Sequence, residues 1–146
     1  MTRSTNYVSM RLKCDRDDKD LPTAGRWHRF VGNAGTAMAT SCVPDYRCAA
    51  ISPGWLANGH PSVEQGQAIR RVCFSRHHKC CNRKMNILVR NCGEFYVYKL
   101  TNTPLCMLRY CVESKGNVSL ISIVMRAIAL GYPPTAWTSN QMHNCA

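Results

Sequence analysis

Cysteines constrain the fold of this sequence more than any other residue type. The chain has ten cysteines in 146 residues, and eight of them lie between Cys42 and Cys111. This density approaches the composition of a disulfide scaffold, and disulfides persist in oxidising compartments. The pattern therefore predicts an extracellular protein that depends on covalent cross-links for part of its stability.

Two of these cysteines, Cys80 and Cys81, are adjacent. A bond between neighbouring cysteines closes a strained ring, and in an extended segment their side chains point to opposite faces. We therefore expect the pair to connect two different parts of the fold.

The length suits one domain, and the charge is strongly basic, with 19 Lys and Arg against 8 Asp and Glu and a net charge of +11. The basic residues are scattered, and no run reaches the roughly five to eight basic residues of a nucleic-acid patch. We expect no nucleic-acid partner and interpret most of the charge as a solvated surface. The alternative is a basic module that binds anionic glycans or membrane surfaces. Its candidate residues are Arg70, Arg71, Arg76, Lys79, Arg83 and Lys84.

Local patterns indicate strands more than helices. The runs NILVRNC and FYVYKL flank Gly93 and Glu94, which predicts a β-hairpin over Asn86–Leu100. A helical turn is plausible only near Ser62 to Gln67, where Ser62 can cap and Gln65 occupies the capping-box position. The predicted class is α+β: a small disulfide-rich domain dominated by short antiparallel strands, with one or two short helices.

The composition divides the chain into three parts: a polar segment over 1–24, a cysteine-rich domain over 25–112 and a tail over 113–146 without a usable signature. The apolar stretch in the tail is shorter than the about 20 residues that span a bilayer, so no transmembrane span is predicted. Residues 1–13 lack the apolar stretch of a secretory leader. We expect the sequence to be a fragment that lacks its true beginning; the other possibility is that the thiols stay reduced.

Several segments together are specific enough to indicate a family. These are WHRFVG at 27–32, WLANGHP at 55–61, the vicinal cysteines, and FYVYKLTNTPLCMLRYC at 95–111. The sequence from Cys14 to Val112 resembles the eight-cysteine module of the uromodulin and zymogen-granule membrane glycoprotein family. The resemblance implies a non-enzymatic, extracellular module of a secreted or cell-surface glycoprotein, acting in structure or recognition.

The resemblance also implies a disulfide pairing, in which Cys14 ties the N-terminal segment to the core. The four implied bonds are Cys14–Cys106, Cys42–Cys80, Cys48–Cys111 and Cys73–Cys81. The family partner of Cys92 lies upstream of the start of this chain, so Cys92 is expected to be unpaired or adventitiously paired with Cys145. In a full-length parent, epidermal-growth-factor-like or zona-pellucida modules are expected as neighbours. The binding partner, protein or glycan, is unknown.

The glycans of the family are not expected at their usual positions. The family patterns WLNGTHP and YNLT are WLANGHP and YKLT here, and neither is an N-x-S/T acceptor. The one acceptor sequence is Asn117-Val118-Ser119, which makes Asn117 the candidate glycosylation site.

Metal binding and catalysis are the alternatives to a disulfide module. Cys73, His77, His78, Cys80 and Cys81 lie close together, but their spacing matches no common zinc arrangement, and we favour disulfides over a reduced zinc protein. No nucleophile motif is present and carboxylates are few, so we expect no catalytic residue, no cofactor and no metal. The aromatic residues are interpreted as core, with Trp55 the candidate for exposure.

Overall fold

The computed structural model describes residues 3–8, 12–16, 21, 24–114 and 145. These residues contain six strands: β1 (Trp27–His28), β2 (Ser52–Leu56), β3 (Gln67–Arg76), β4 (Lys79–Asn91), β5 (Tyr96–Lys99) and β6 (Leu108–Tyr110). The strands form one sheet in the order β1-β5-β4-β3-β2-β6. All neighbours are antiparallel except β2 and β6, which are parallel. Met1–Ser114 forms one compact unit and Lys115–Ala146 a second, of which the structure describes only Cys145.

The hairpin predicted over Asn86–Leu100 is confirmed. Strands β4 and β5 pair with Leu88 opposite Lys99 and Asn91 opposite Tyr96. Gly93 in the turn has a φ of 83°, in the left-handed region that glycine enters without steric cost. The alternation of side chains along FYVYKL therefore indicated the correct element.

The α+β class is wrong, because the described residues contain no helix and the described fold is all-β. The capping box at Ser62 does form: Ser62 N donates to Gln65 Oε1 at 3.0 Å, and Gln65 N donates to Ser62 Oγ at 3.2 Å. The turn ends at once, since Gly66 has a φ of 60° and its carbonyl accepts from Asn91 N. A left-handed glycine terminates a helix, and β3 begins at the next residue.

The expectation of short strands also needs correction at the centre of the sheet. β3 and β4 have 10 and 13 residues and form one long hairpin. Its turn is His77-His78, between the paired residues Arg76 and Lys79. Both histidines have positive φ, 50° and 60°, which is the backbone of a type I′ turn.

The main core covers one face of the sheet. It consists of buried side chains from the strands and their loops: Leu21, Met38, Leu56, Val72, Phe74, Ile87, Val89, Tyr98, Leu100, Leu108 and Tyr110. Gly54 on β2 lies opposite Phe74 on β3, and a Cβ at Gly54 would come within 2.6 Å of the Phe74 ring. Glycine at this position lets the Phe74 ring pack directly on the backbone of β2.

A second, smaller core lies against the opposite face. It contains Ala39, Val43, Cys48 and Cys111, with Trp55 packed against them. Trp55 pairs with Cys73 across β2 and β3, one residue out of phase with Phe74, so the two cores lie on opposite faces.

The N-terminal segment runs beside β6 at the edge of the sheet. Asp15 N donates to Leu108 O at 3.3 Å, and Val112 N donates to Arg3 O at 2.8 Å. These bonds occupy backbone groups that an edge strand otherwise leaves open. The described residues of the polar segment 1–24 thus contact the sheet directly.

Candidate functional site

Four disulfides, here called the disulfide framework, connect the loops to the sheet. They are Cys14–Cys106, Cys42–Cys80, Cys48–Cys111 and Cys73–Cys81, with sequence separations of 92, 38, 63 and 8. These are the four pairs that the family resemblance implies. Cys92 and Cys145 are also disulfide-bonded, so the described residues include no free cysteine.

The vicinal cysteines lie on β4 just after the His77-His78 turn. Cys81 bonds to Cys73 within the β3–β4 hairpin, and Cys80 bonds to Cys42 in the loop before β2. The carbonyl of Cys80 accepts from Trp55 Nε1 at 2.8 Å. This segment therefore joins the hairpin, the preceding loop and β2. Trp55, the candidate for exposure, is half-buried because of these contacts.

A small cavity of about 220 Å³ separates the hairpin turn from the loop that Cys42 anchors. It is lined by Cys42, Val43, Pro44, Asp45, Ser75, His78, Lys79 and Cys80. The backbone N–H of His78 donates to Asp45 Oδ2 at 3.5 Å, a weak contact across the gap. In the same loop Tyr46, Cys48 and Ala49 have positive φ, so the backbone on both sides of the cavity is strained.

The six basic residues singled out in the sequence do not form one surface. Three of them line a single open cleft of about 530 Å³, here called the basic cleft. Its lining residues are Arg71, Cys81, Asn82, Arg83, Lys84 and Pro104. Arg71, Arg83 and Lys84 are all exposed, so their cationic groups reach solvent.

The other three basic residues are held elsewhere. Arg70 Nη2 donates to Gln65 Oε1 at 3.0 Å, at the turn before β3. Arg76 Nε lies 3.3 Å from His77 Nε2, and Lys79 lines the small cavity at the hairpin turn. Three of the six candidate residues therefore line the basic cleft, and the other three do not.

Nothing in the sequence indicated that Asp15 is buried. Its side chain has no exposed surface and accepts from Arg3 Nη2 at 2.7 Å and from Tyr110 N at 2.9 Å. Arg109 Nε lies 3.5 Å from the same carboxylate, and Arg109 is itself 4% exposed. Asp15 belongs to the polar segment 1–24, and its carboxylate forms an ion pair that ties this segment to β6.

No pattern in the sequence indicated the contacts of His60 either. Its ring stacks on Tyr96 at a centroid distance of 4.0 Å, and its Nε2 lies 2.8 Å from the Tyr98 hydroxyl. Burial, with a smaller contribution from Arg70, lowers the pKa of His60 to about 4. Burial also raises the pKa of Tyr98 above its usual value. The neutral imidazole thus serves as a packing element.

No group of three or more His, Cys, Asp or Glu side chains in the described ranges is arranged to hold a metal ion. The cysteines of the zinc alternative are in disulfides, and His77 and His78 are exposed. Asn117 lies outside the described residues. No helix in the part of the chain that the structure describes is long and apolar enough to cross a bilayer.

These features define a class of protein: a cysteine-rich, all-β module in which disulfides hold irregular loops on one sheet. Residues 28–112 match the family model described as a uromodulin-like domain. The chain belongs to this family.

Curated relatives support the same assignment. The chain is 40% identical over 114 residues to the dog pancreatic secretory granule membrane major glycoprotein GP2, covering 77% of this chain and 21% of the relative. It is 40% identical over 112 residues to rat uromodulin, covering 76% and 16%, and 36% identical over 110 residues to human GP2, covering 75% and 19%. The chain therefore spans about a fifth of the length of these relatives.

Proposed function

We propose that this chain is a non-enzymatic, disulfide-stapled extracellular module that acts in structure or recognition within a secreted or cell-surface glycoprotein. The disulfide framework carries the proposal, because it fixes the N-terminal segment, the loop before β2 and the long hairpin on one sheet. Bonds of this kind persist in an oxidising compartment. The GP2 relatives are named as glycoproteins of the secretory granule membrane, which agrees with such a setting.

The contacts of the titratable groups support a non-enzymatic role. Asp15 is engaged by two arginines, and His60 is stacked and hydrogen-bonded to a tyrosine. A catalytic thiol needs an accessible thiolate and a base, and cysteines in disulfides supply none. Asp15 and His60 thus hold segments of the fold together.

The greater length of the relatives supports the proposal that this module lies beside other modules in a larger protein. Since the matched region covers about a fifth of each relative, the family module is one part of larger proteins. Epidermal-growth-factor-like or zona-pellucida modules remain the predicted neighbours, and the partner is a protein or a glycan. The paired cysteines then give a rigid surface that keeps its shape outside the cell.

Thiol counting on secreted protein tests this proposal. The full chain is expressed behind a secretory leader in cultured animal cells, recovered from the medium and alkylated without reductant under native and denaturing conditions. We expect no alkylated cysteine in either sample, and alkylation of all ten after reduction as the control. Folded protein in which all ten cysteines are free thiols would overturn the proposal.

A further inference from the structure

We propose that the basic cleft binds a sulfated glycan chain, with Arg71, Arg83 and Lys84 contacting its sulfate groups. This inference rests on the extracellular recognition function proposed above and names the ligand class and the site. Three cationic side chains lining one open volume of about 530 Å³ are the observation that carries it.

The strand register explains how these three residues converge. Cys73 lies opposite Lys84 and Arg71 lies opposite Asn86, so Arg71 and Lys84 are diagonal neighbours on the same face of the β3–β4 hairpin. Such neighbours are about 7–8 Å apart, within the reach of long side chains. Two adjacent sulfate groups of one glycan can be contacted from this pair.

The cleft follows the edge of β4. Asn82, Arg83 and Lys84 are consecutive and all line it, although successive side chains of a strand point to opposite faces. Strand β5 pairs with β4 only from Leu88 to Asn91, which leaves the edge from Lys79 to Ile87 without a neighbouring strand in the described sheet. An elongated ligand can therefore lie along this edge and meet cations from both sides.

The charges in the cleft are available to a ligand. The salt bridges found in the described ranges join Asp15 to Arg3 and to Arg109, and none involves a cation of the cleft. The remaining lining residues, among them Asn82 and Pro104, carry no negative charge. Within the described part of the chain, an anion entering the cleft meets positive charge that no salt bridge compensates, and a neutral amide donor at Asn82.

The surroundings favour a sulfated glycan over other polyanions. The anionic lipids that attract basic segments face the cytoplasm, whereas this module is proposed to be extracellular. An acidic peptide adding as a strand is disfavoured, because charged side chains on an exposed edge deter strand pairing. A single-stranded nucleic acid is bound mainly by bases stacked on aromatic rings, and the described residues that line the cleft include no aromatic side chain.

The test measures the affinity of the full chain for a heparin-derived hexasaccharide by calorimetry as NaCl increases to about 150 mM, where the Debye length is about 8 Å. We expect saturable binding at that concentration. We expect log K to fall with log salt by a slope of roughly 2, about 0.7 per cation on a flexible polyanion.

Two matched triple variants test whether binding depends on the basic cleft or only on the net charge of the protein. The cleft variant is Arg71→Gln, Arg83→Gln and Lys84→Gln; the control is Arg70→Gln, Arg76→Gln and Lys79→Gln. Both remove two arginines and one lysine from the same two strands. We expect the cleft variant to lose about tenfold or more in affinity and the control to lose less than about threefold. Thermal unfolding checks that both fold, and single Arg83→Gln and Lys84→Gln variants replace the triple if it does not.

Three results would overturn the inference. Equal losses in both triple variants would mean that the net charge binds the glycan without a site. If the hexasaccharide does not bind at all, sulfated glycans are not the ligands of the cleft. Binding to phosphatidylserine-containing vesicles or to an oligoglutamate peptide, but not to the hexasaccharide, would assign the cleft to another partner. Each leaves the thiol count unchanged, so it is distinguishable from failure of the proposed function.

Discussion

His60 Nε2 lies 2.8 Å from the hydroxyl oxygen of Tyr98, which also accepts a hydrogen bond from Met38 N at 2.9 Å. The Tyr98 hydroxyl donates to His60 Nε2 or accepts from it, depending on the tautomer of the imidazole. The imidazole is neutral at neutral pH, because burial lowers the pKa of His60 to about 4. The Tyr98 side chain on β5 therefore contacts His60 in the loop after β2 and Met38 in the loop before β2. One tyrosine thus connects three segments of the chain.

The first prediction concerns the stability of the fold at acidic pH. The pKa of His60 is lowered from 6.5 to about 4, so the unfolded chain binds more protons than the folded one between these values. The free energy of unfolding therefore falls as the pH decreases from about 6.5 to about 4. The full shift corresponds to about 3 kcal/mol. Solvent screening of the partly exposed ring reduces the expected loss to about 1–2 kcal/mol.

Urea unfolding of the wild-type chain and of His60→Gln across this pH range measures the effect. The variant lacks the titrating ring, so its stability should vary less with pH while other groups contribute equally to both proteins. An identical pH dependence in the two proteins would show that His60 is not the group responsible.

The second prediction concerns the buried ion pair of Asp15. Asp15→Asn keeps the shape of the side chain but leaves Arg109, which is buried, without its anionic partner. Removing one member of a buried ion pair costs about 3–5 kcal/mol. Arg3→Gln is the control, since the Arg3 side chain is 17% exposed and solvent compensates for part of its loss.

Chemical denaturation of both variants checks this prediction. The Asp15 variant should lose at least about twice as much stability as the Arg3 variant. Losses of similar size would mean that the Arg3–Asp15 pair accounts for the whole effect and that Arg109 does not need its anionic partner.

The third prediction concerns the His77-His78 turn. Both residues have positive φ in a two-residue hairpin, where asparagine followed by glycine is strongly preferred. The double variant His77→Asn, His78→Gly should relieve this strain and raise the stability by about 1 kcal/mol. Thermal unfolding should show a higher midpoint, and a lower midpoint would mean that the histidine side chains stabilise the turn.

The sequence was informative where local patterns decide the structure. The alternation in FYVYKL and the glycine at 93 predicted the β4–β5 hairpin, because both signals depend on neighbouring residues only. The capping box at Ser62 also formed, but the left-handed Gly66 and the bond from Asn91 N limit the segment to a single turn, so no helix follows. Tertiary contacts thus overrode a correct local signal.

The sequence was uninformative where distant segments meet. Asp15 is buried because Arg3, Arg109 and Tyr110 converge on it from the N-terminal segment and β6, and no local pattern reports this. The basic cleft depends in the same way on the β3–β4 register, which places Arg71 beside Lys84. Proximity in the sequence places six basic residues in one candidate anion-binding set. The strand register brings only three of them to the basic cleft.

The central claim is that Cys80 and Cys81 bond to different partners, Cys42 and Cys73, and so connect the long hairpin to the loop before β2. Trypsin under non-reducing conditions should leave one cluster of three peptides, residues 30–47, 72–76 and 80–83. Cleavage cannot separate the adjacent cysteines, so partial reduction with stepwise alkylation is needed to assign each bond. We predict products in which Cys42 is joined to Cys80 and Cys73 to Cys81. Products joining Cys42 to Cys81 and Cys73 to Cys80, or three separate peptides without reduction, would contradict this account.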